Sequence, residues 1–170
     1  VDLNSDMDIM WWFLCLFWVV PSRTMSSWDF PVLRLLFVRN DVNVDANGID
    51  VVCSWLTRFR DDAARRLVID EVWEIYKEYN HKLNAQHFGL QVVHHKLQAC
   101  LRTEPVEYDG NGYGVVPAAL ADMDNSDKKF VAAALNDPAN IEIVYAVDRG
   151  WKRNHAALQA HSVVVVGLLS

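Results

Sequence analysis

The chain has 170 residues, of which 52% are apolar and 22% charged, and its formal net charge is −6. That length suits one domain with a real core rather than two, and the composition excludes disorder as the default state. The acidic balance excludes a protein that coats nucleic acid through bulk charge, while leaving room for an enzyme with a local basic rim.

The chain opens on an unusual segment. Ile9 to Val20 is an apolar run of twelve residues that stops at Pro21. A membrane span needs about 20 residues, and Asp2, Asp6 and Asp8 stand where a signal peptide carries positive charge. Residues 1–24 are therefore read as an apolar extension, either an accessory element or an upstream over-reading with Met25 as the working start. A membrane anchor is the less favoured alternative, and residues 25–170 form the single domain. Cys15, Cys53 and Cys100 lie far apart with no CxxC pair. Neither a disulfide framework nor a zinc site is expected, and the setting is read as cytoplasmic.

From Pro31 the pattern alternates strand and helix. Val32 to Val38 has buried-strand length and runs into the turn-rich segment Asn40 to Gly48. Asp50 is placed to cap a helix whose apolar positions are Val51, Val52, Trp55, Leu56 and Phe59. Arg66 to Ile69 is a second strand ending at Asp70, followed by a helical stripe through Val72, Ile75, Tyr76 and Tyr79. A third helix is predicted over Phe88 to Leu101, then a loop over 103–124 with a short strand at Val115-Val116. Helix returns over Asp127 to Leu135, strand over Ile141 to Val147, helix over Trp151 to Ala160 and strand over Ser162 to Leu169. The run Val163 to Val166 suits a strand buried on both faces. The alternation predicts a three-layer α/β/α fold around a central parallel sheet.

Strand ends and the loops after them share one edge of such a sheet, where ligands bind. Asp41 follows the first strand, Asp148 follows a later one and Asp127 begins a helix. Taken singly, Asp127 reads as a helix cap and Asp148 as a turn residue. Together with Glu78 they make a set of four carboxylates, whose mutual repulsion a hard cation relieves. Mg²⁺ or Mn²⁺ held this way suits phosphodiester hydrolysis.

Three other signals are set aside. Asp109-Gly-Asn-Gly-Tyr-Gly114 begins like a calcium loop but has Leu120 where a bidentate Glu is required. His94-His95 has no third ligand at a metal spacing. Trp55 and Trp73 read as core, leaving Trp151, next to the acids, as the tryptophan able to touch a substrate.

At these positions the sequence resembles a PIN-domain nuclease. The resemblance rests on Leu67-Val-Ile-Asp-Glu-Val-Trp-Glu-Ile-Tyr-Lys-Glu-Tyr79, on Asp124-Asn-Ser-Asp-Lys-Lys-Phe-Val-Ala-Ala-Ala134 and on Ala146-Val-Asp-Arg-Gly-Trp151. The closing His155-Ala-Ala-Leu and Val163 to Leu169 fit the family's last helix and strand, so the resemblance covers about residues 32 to 169. It implies catalytic acids at Asp41, Glu78, Asp127 and Asp148, with Glu71 and Glu74 as solvated helix charges. The first acid has two candidates: Asp41-Val-Asn-Val44 fits the family's Asp-x-Asn-apolar pattern better than Asp45-Ala-Asn-Gly48, and both are metal-ligand candidates.

The resemblance further implies a Mg²⁺- or Mn²⁺-dependent endoribonuclease, often the toxin of a toxin–antitoxin pair. Asn43 and Ser126 would orient ligands there. Lys128, Lys129, Arg149, Lys152 and Arg153 cluster beside the acids in sequence and suit flanking phosphates. The partners expected are RNA, an antitoxin protein and a second copy of the chain, with no membrane. The alternative function is a PIN-like module that binds nucleic acid or protein without catalysis.

Overall fold

The computed structural model describes the backbone of residues 16–18 and 33–35 and all of residues 46–83 and 87–169. Its architecture is mixed α/β. In chain order the elements are β1 (Leu16–Trp18), β2 (Leu33–Leu35), α1 (Ala46–Asp61), β3 (Leu67–Asp70), α2 (Glu74–Lys82), α3 (Phe88–Ala99), β4 (Leu101–Glu104), α4 (Asn125–Asn136), β5 (Glu142–Tyr145), α5 (Arg149–Ala160) and β6 (Val164–Gly167). A single 3₁₀ turn at Ala118–Leu120 precedes α4.

In place of one parallel sheet, the described strands lie in two. One has the order β2-β1-β5-β6 and the other pairs β3 with β4. β3 and β4 run parallel, as do β5 and β6, whereas β1 is antiparallel to both β2 and β5. β2 and β5 therefore point the same way. β1 comes from the apolar N-terminal run, which the strand–helix alternation after Pro31 does not constrain. β2 also lies beside β3, where the two sheets approach one another.

The helices form where apolar residues recur at helical spacing, and they bury those faces. Val52, Trp55, Leu56 and Phe59 of α1 are all buried, with Trp55 stacked on Phe59 at 5.4 Å. Burying one such side chain stabilises the fold by about 1.5–3 kcal/mol. Ile75 and Tyr79 do the same for α2, and Phe130, Val131, Ala133 and Ala134 for α4. β3 and β5 are buried along their whole length.

Several expectations need correction. Asp50 caps nothing: α1 already runs from Ala46, and Asp50 is exposed within it. The third helix stops at Ala99, and residues 101–104 pair with β3 as β4 rather than opening a loop. β4 escapes a pattern search because it lies at a sheet edge, where polar side chains are tolerated; Arg102 bonds Asp137 at 2.8 Å and also pairs with Glu104. Val115-Val116 is not a strand; only an isolated bridge joins Tyr108 and Gly114 nearby. The valine run is not buried on both faces, since Val164 and Val166 are exposed while Val163 is buried. β6 ends the four-stranded sheet, and the other face of its run is the one that meets the core.

Two close approaches outside the apolar core brace the structure. Lys96 of α3 is fully buried and donates to the carbonyl oxygens of Asp62 (2.6 Å) and Arg65 (2.8 Å), with its ammonium 4.7 Å from the centre of the Phe59 ring. It thus closes the turn between α1 and β3, although burial lowers its pKa. Gly114 sits directly on α4, where an added Cβ would lie 2.6 Å from Lys129 Cα.

Two stability predictions follow from these contacts. Lys96→Met strips the donor from both carbonyls and should cost about 2–3 kcal/mol in denaturant unfolding. Gly114→Ala forces the loop off α4 and should cost about 1–3 kcal/mol; an unchanged denaturation midpoint for either would contradict the packing described.

Candidate functional site

The site lies where two helix starts meet. Asp124 is the N-cap of α4, its Oδ1 accepting from the Ser126 N–H at 2.9 Å and the Ser126 hydroxyl at 2.8 Å. Asp127 stands in the first turn of the same helix. Asp127 shares the helical stripe of Phe130, Val131 and Ala134, so the face that buries the core also buries this carboxylate, to 4% exposure. Asp148 follows β5 in extended geometry and caps α5, with its Oδ1 accepting the Gly150 N–H. The other oxygen of Asp148 takes no hydrogen bond among the described residues.

Gly150 measures how closely the two acids converge. A Cβ placed on it would lie 2.9 Å from Asp148 Oδ1 and 3.9 Å from Asp127 Oδ2. Both carboxylates open on one cavity of about 160 Å³, lined also by Asp122, Met123, Asp124, Arg153 and Asn154. Asn154 holds its own place by donating to the Gly150 carbonyl at 2.9 Å.

The remaining expected residues are distributed as follows. Asp41, Asn43 and Asp45 lie outside the described residues. Glu78 of α2 is the most shielded of the three glutamates considered, but it does not line the cavity; Lys129 of α4 bonds its carboxylate at 3.0 Å and Lys82 approaches to 3.5 Å. Glu74 pairs with Lys77, and Glu71 is exposed, as expected of helix and turn charges. Lys128 donates to the Asn125 side chain at 2.7 Å. Arg149, Lys152 and Arg153 are all exposed on α5, and of the three Arg153 lines the cavity. Asp109 closes a turn by accepting from the N–H groups of Asn111 and Tyr113.

Both tryptophan assignments near the acids reverse. Trp151 is only 1% exposed, so it packs the core and does not present a face to substrate. Trp73 is 44% exposed because it occupies the left-handed corner between β3 and α2, at φ 65°, instead of a helical core position. Asp122 and Asp124 were not singled out from sequence, although an Asp three residues before another acid, at a helix start, is a capping signature. The fully buried Asp70 is more than a strand end: it caps α2 by accepting from the N–H groups of Glu74 (2.9 Å) and Ile75 (2.7 Å).

Donor chemistry at the cavity, all carboxylate oxygen with one amide, fits a hard divalent ion. Among the described residues no three His, Cys, Asp or Glu side chains gather as a ligand set. Among the described residues no helix is long and apolar enough to cross a membrane.

The buried acids mark their neighbours electrostatically. Burial, then the charge of Asp148, pushes the Tyr145 phenol up, and burial with Asp70 does the same more strongly to Tyr108. A raised folded-state pKa means that this contribution to stability is full below the unfolded value of about 10 and is lost as pH climbs through the folded value. Unfolding free energy should therefore fall steadily above about pH 10, and Asp148→Asn should let Tyr145 ionise at lower pH in a near-ultraviolet titration. A flat alkaline profile would contradict the burial of both phenols. No protein-family model, curated protein or solved structure matches the chain, so the functional reading rests on the arrangement of its own side chains.

Proposed function

We propose that the chain is a PIN-like, Mg²⁺- or Mn²⁺-dependent endoribonuclease, acting as a toxin held in check by an antitoxin protein. The observation that carries this reading is the convergence of Asp127 and Asp148 on one cavity from two helix starts. The fold we propose is three-layer α/β/α around a central parallel sheet. Its support is positional: β3 and β4 run parallel, as do β5 and β6, and β2 lies beside β3 while pointing the same way as β5 across the antiparallel β1.

In this reading Asp127 and Asp148 hold the ion, with Asp41 or Asp45 as a further acid. When bound, the ion offsets the carboxylate charges and activates water for attack on phosphorus. The chain's own residues fix the geometry: Gly150 leaves room for both carboxylates, the α5 N–H orients Asp148, and Ser126 orients Asp124. RNA is the substrate class, an antitoxin the regulatory partner and a second copy of the chain the expected oligomeric partner.

A second reading is favoured by one observation. Glu78, expected among the catalytic acids, is engaged by Lys129. A PIN-like module that binds nucleic acid or protein without catalysis would keep that ion pair permanently.

Incubation of structured and unstructured RNA with the protein and Mn²⁺ separates the two. Cleavage should drop about a hundredfold or more in Asp127→Asn and in Asp148→Asn, since losing a ligand costs at least as much as losing its support. Comparing Asp41→Asn with Asp45→Asn assigns the first acid, with the larger loss expected at Asp41. Wild-type activity no greater than that of the double variant Asp127→Asn/Asp148→Asn would favour the binding module.

A further inference from the structure

Among the described residues the cavity has one cationic side chain in its lining. Arg153 stands at its exposed rim with Asp122, Asp124, Asp127 and Asp148 in the wall. A guanidinium matches an oxyanion in a bidentate fork. Among the described residues Arg153 makes no ion pair and no hydrogen bond.

The other basic residues near the acids in sequence are placed differently. Lys129 is committed to Glu78 and Lys128 to Asn125, while Arg149 and Lys152 lie outside the cavity wall. We propose that Arg153 is the residue that grips the phosphate of the substrate at this cavity, binding a non-bridging oxygen pair of a phosphodiester beside the acids.

The physical argument is one of charge bookkeeping across the cavity. A phosphodiester anion is repelled by the carboxylates and needs a positive partner that those carboxylates have not already neutralised. A planar guanidinium meets two phosphate oxygens at once, which a lysine ammonium does not. Arg153 is placed one turn beyond Gly150, so the same helix that fixes Asp148 through its first N–H groups also fixes the phosphate-holding group relative to it. Substrate position and acid position are then set by a single rigid element.

This inference rests on the nuclease reading of the cavity, and its test is chosen to fail separately from it. A labelled single-stranded RNA oligonucleotide is titrated by fluorescence anisotropy without added metal, using the full chain, Arg153→Ala, Arg153→Lys and Arg58→Ala. The last removes an equal charge from an exposed position on α1. Affinity should fall about tenfold in Arg153→Ala, partly recover in Arg153→Lys and stay near wild type in Arg58→Ala. Where Mn²⁺-dependent cleavage is measurable, Arg153→Ala should raise KM far more than it lowers kcat. Loss of binding in Arg153→Ala by a protein that never cleaves RNA would sink the nuclease reading and keep this one. Equal affinity for Arg153→Ala and Arg58→Ala, with KM unchanged, overturns the role of Arg153.

Discussion

The unpaired N–H groups at helix starts are the constraint around which this structure is arranged. A helix leaves its first four N–H groups without intrahelical partners, and where a helix start is buried something must accept from them. Here three aspartates do so: Asp70 for α2, Asp124 for α4 and Asp148 for α5. Each cap contributes about 0.5–2 kcal/mol relative to alanine. Two of the three stand at strand ends, so the chain turns from β3 into α2 and from β5 into α5 on a carboxylate. The acids at these helix starts are thus partly a folding requirement, and two of the four acids lining the cavity, Asp124 and Asp148, are caps that stability already demands.

What sets Asp127 and Asp148 apart is that both are buried and open on one cavity. Asp148 accepts from the Gly150 N–H through one oxygen, and Asp124 caps the helix on which Asp127 stands. Asp127 is buried because it continues the apolar stripe of α4, so core packing itself aims it inward. Two buried carboxylates within reach of one Gly150 position raise each other's cost of ionisation, and a divalent ion held there would lower that cost. By contrast Glu78 and Lys129 have already satisfied each other, at 14% and 13% side-chain exposure, which isolates Glu78 from the pair.

Much of this was legible from residue pattern. The stripes Val52-Trp55-Leu56-Phe59 and Phe130-Val131-Ala134 mark their helices directly, because burial at helical period is written into the sequence. The acids after the apolar strand at 142–145 and at the start of α4 were found the same way. Pattern fails where the local sequence is not what sets the environment. β4 is polar because it is an edge strand, and Trp73 is exposed because the turn into α2 requires a left-handed residue at that corner. Trp151 lies one turn from Asp148 in sequence, yet the helix rotates it into the core.

The sequence by itself determined the alternation of strand and helix, the apolar faces and the positions of Asp127 and Asp148 at element ends, since these depend on periodicity and neighbouring residues alone. Only the tertiary structure decided which acids meet. It drew Asp127 and Asp148 onto one cavity, gave Glu78 to Lys129, and singled out Arg153 from five basic residues adjacent in sequence. The physical reason is that helix rotation and the packing of α4 against β5 fix side-chain directions, and those directions are set by contacts between segments far apart along the chain.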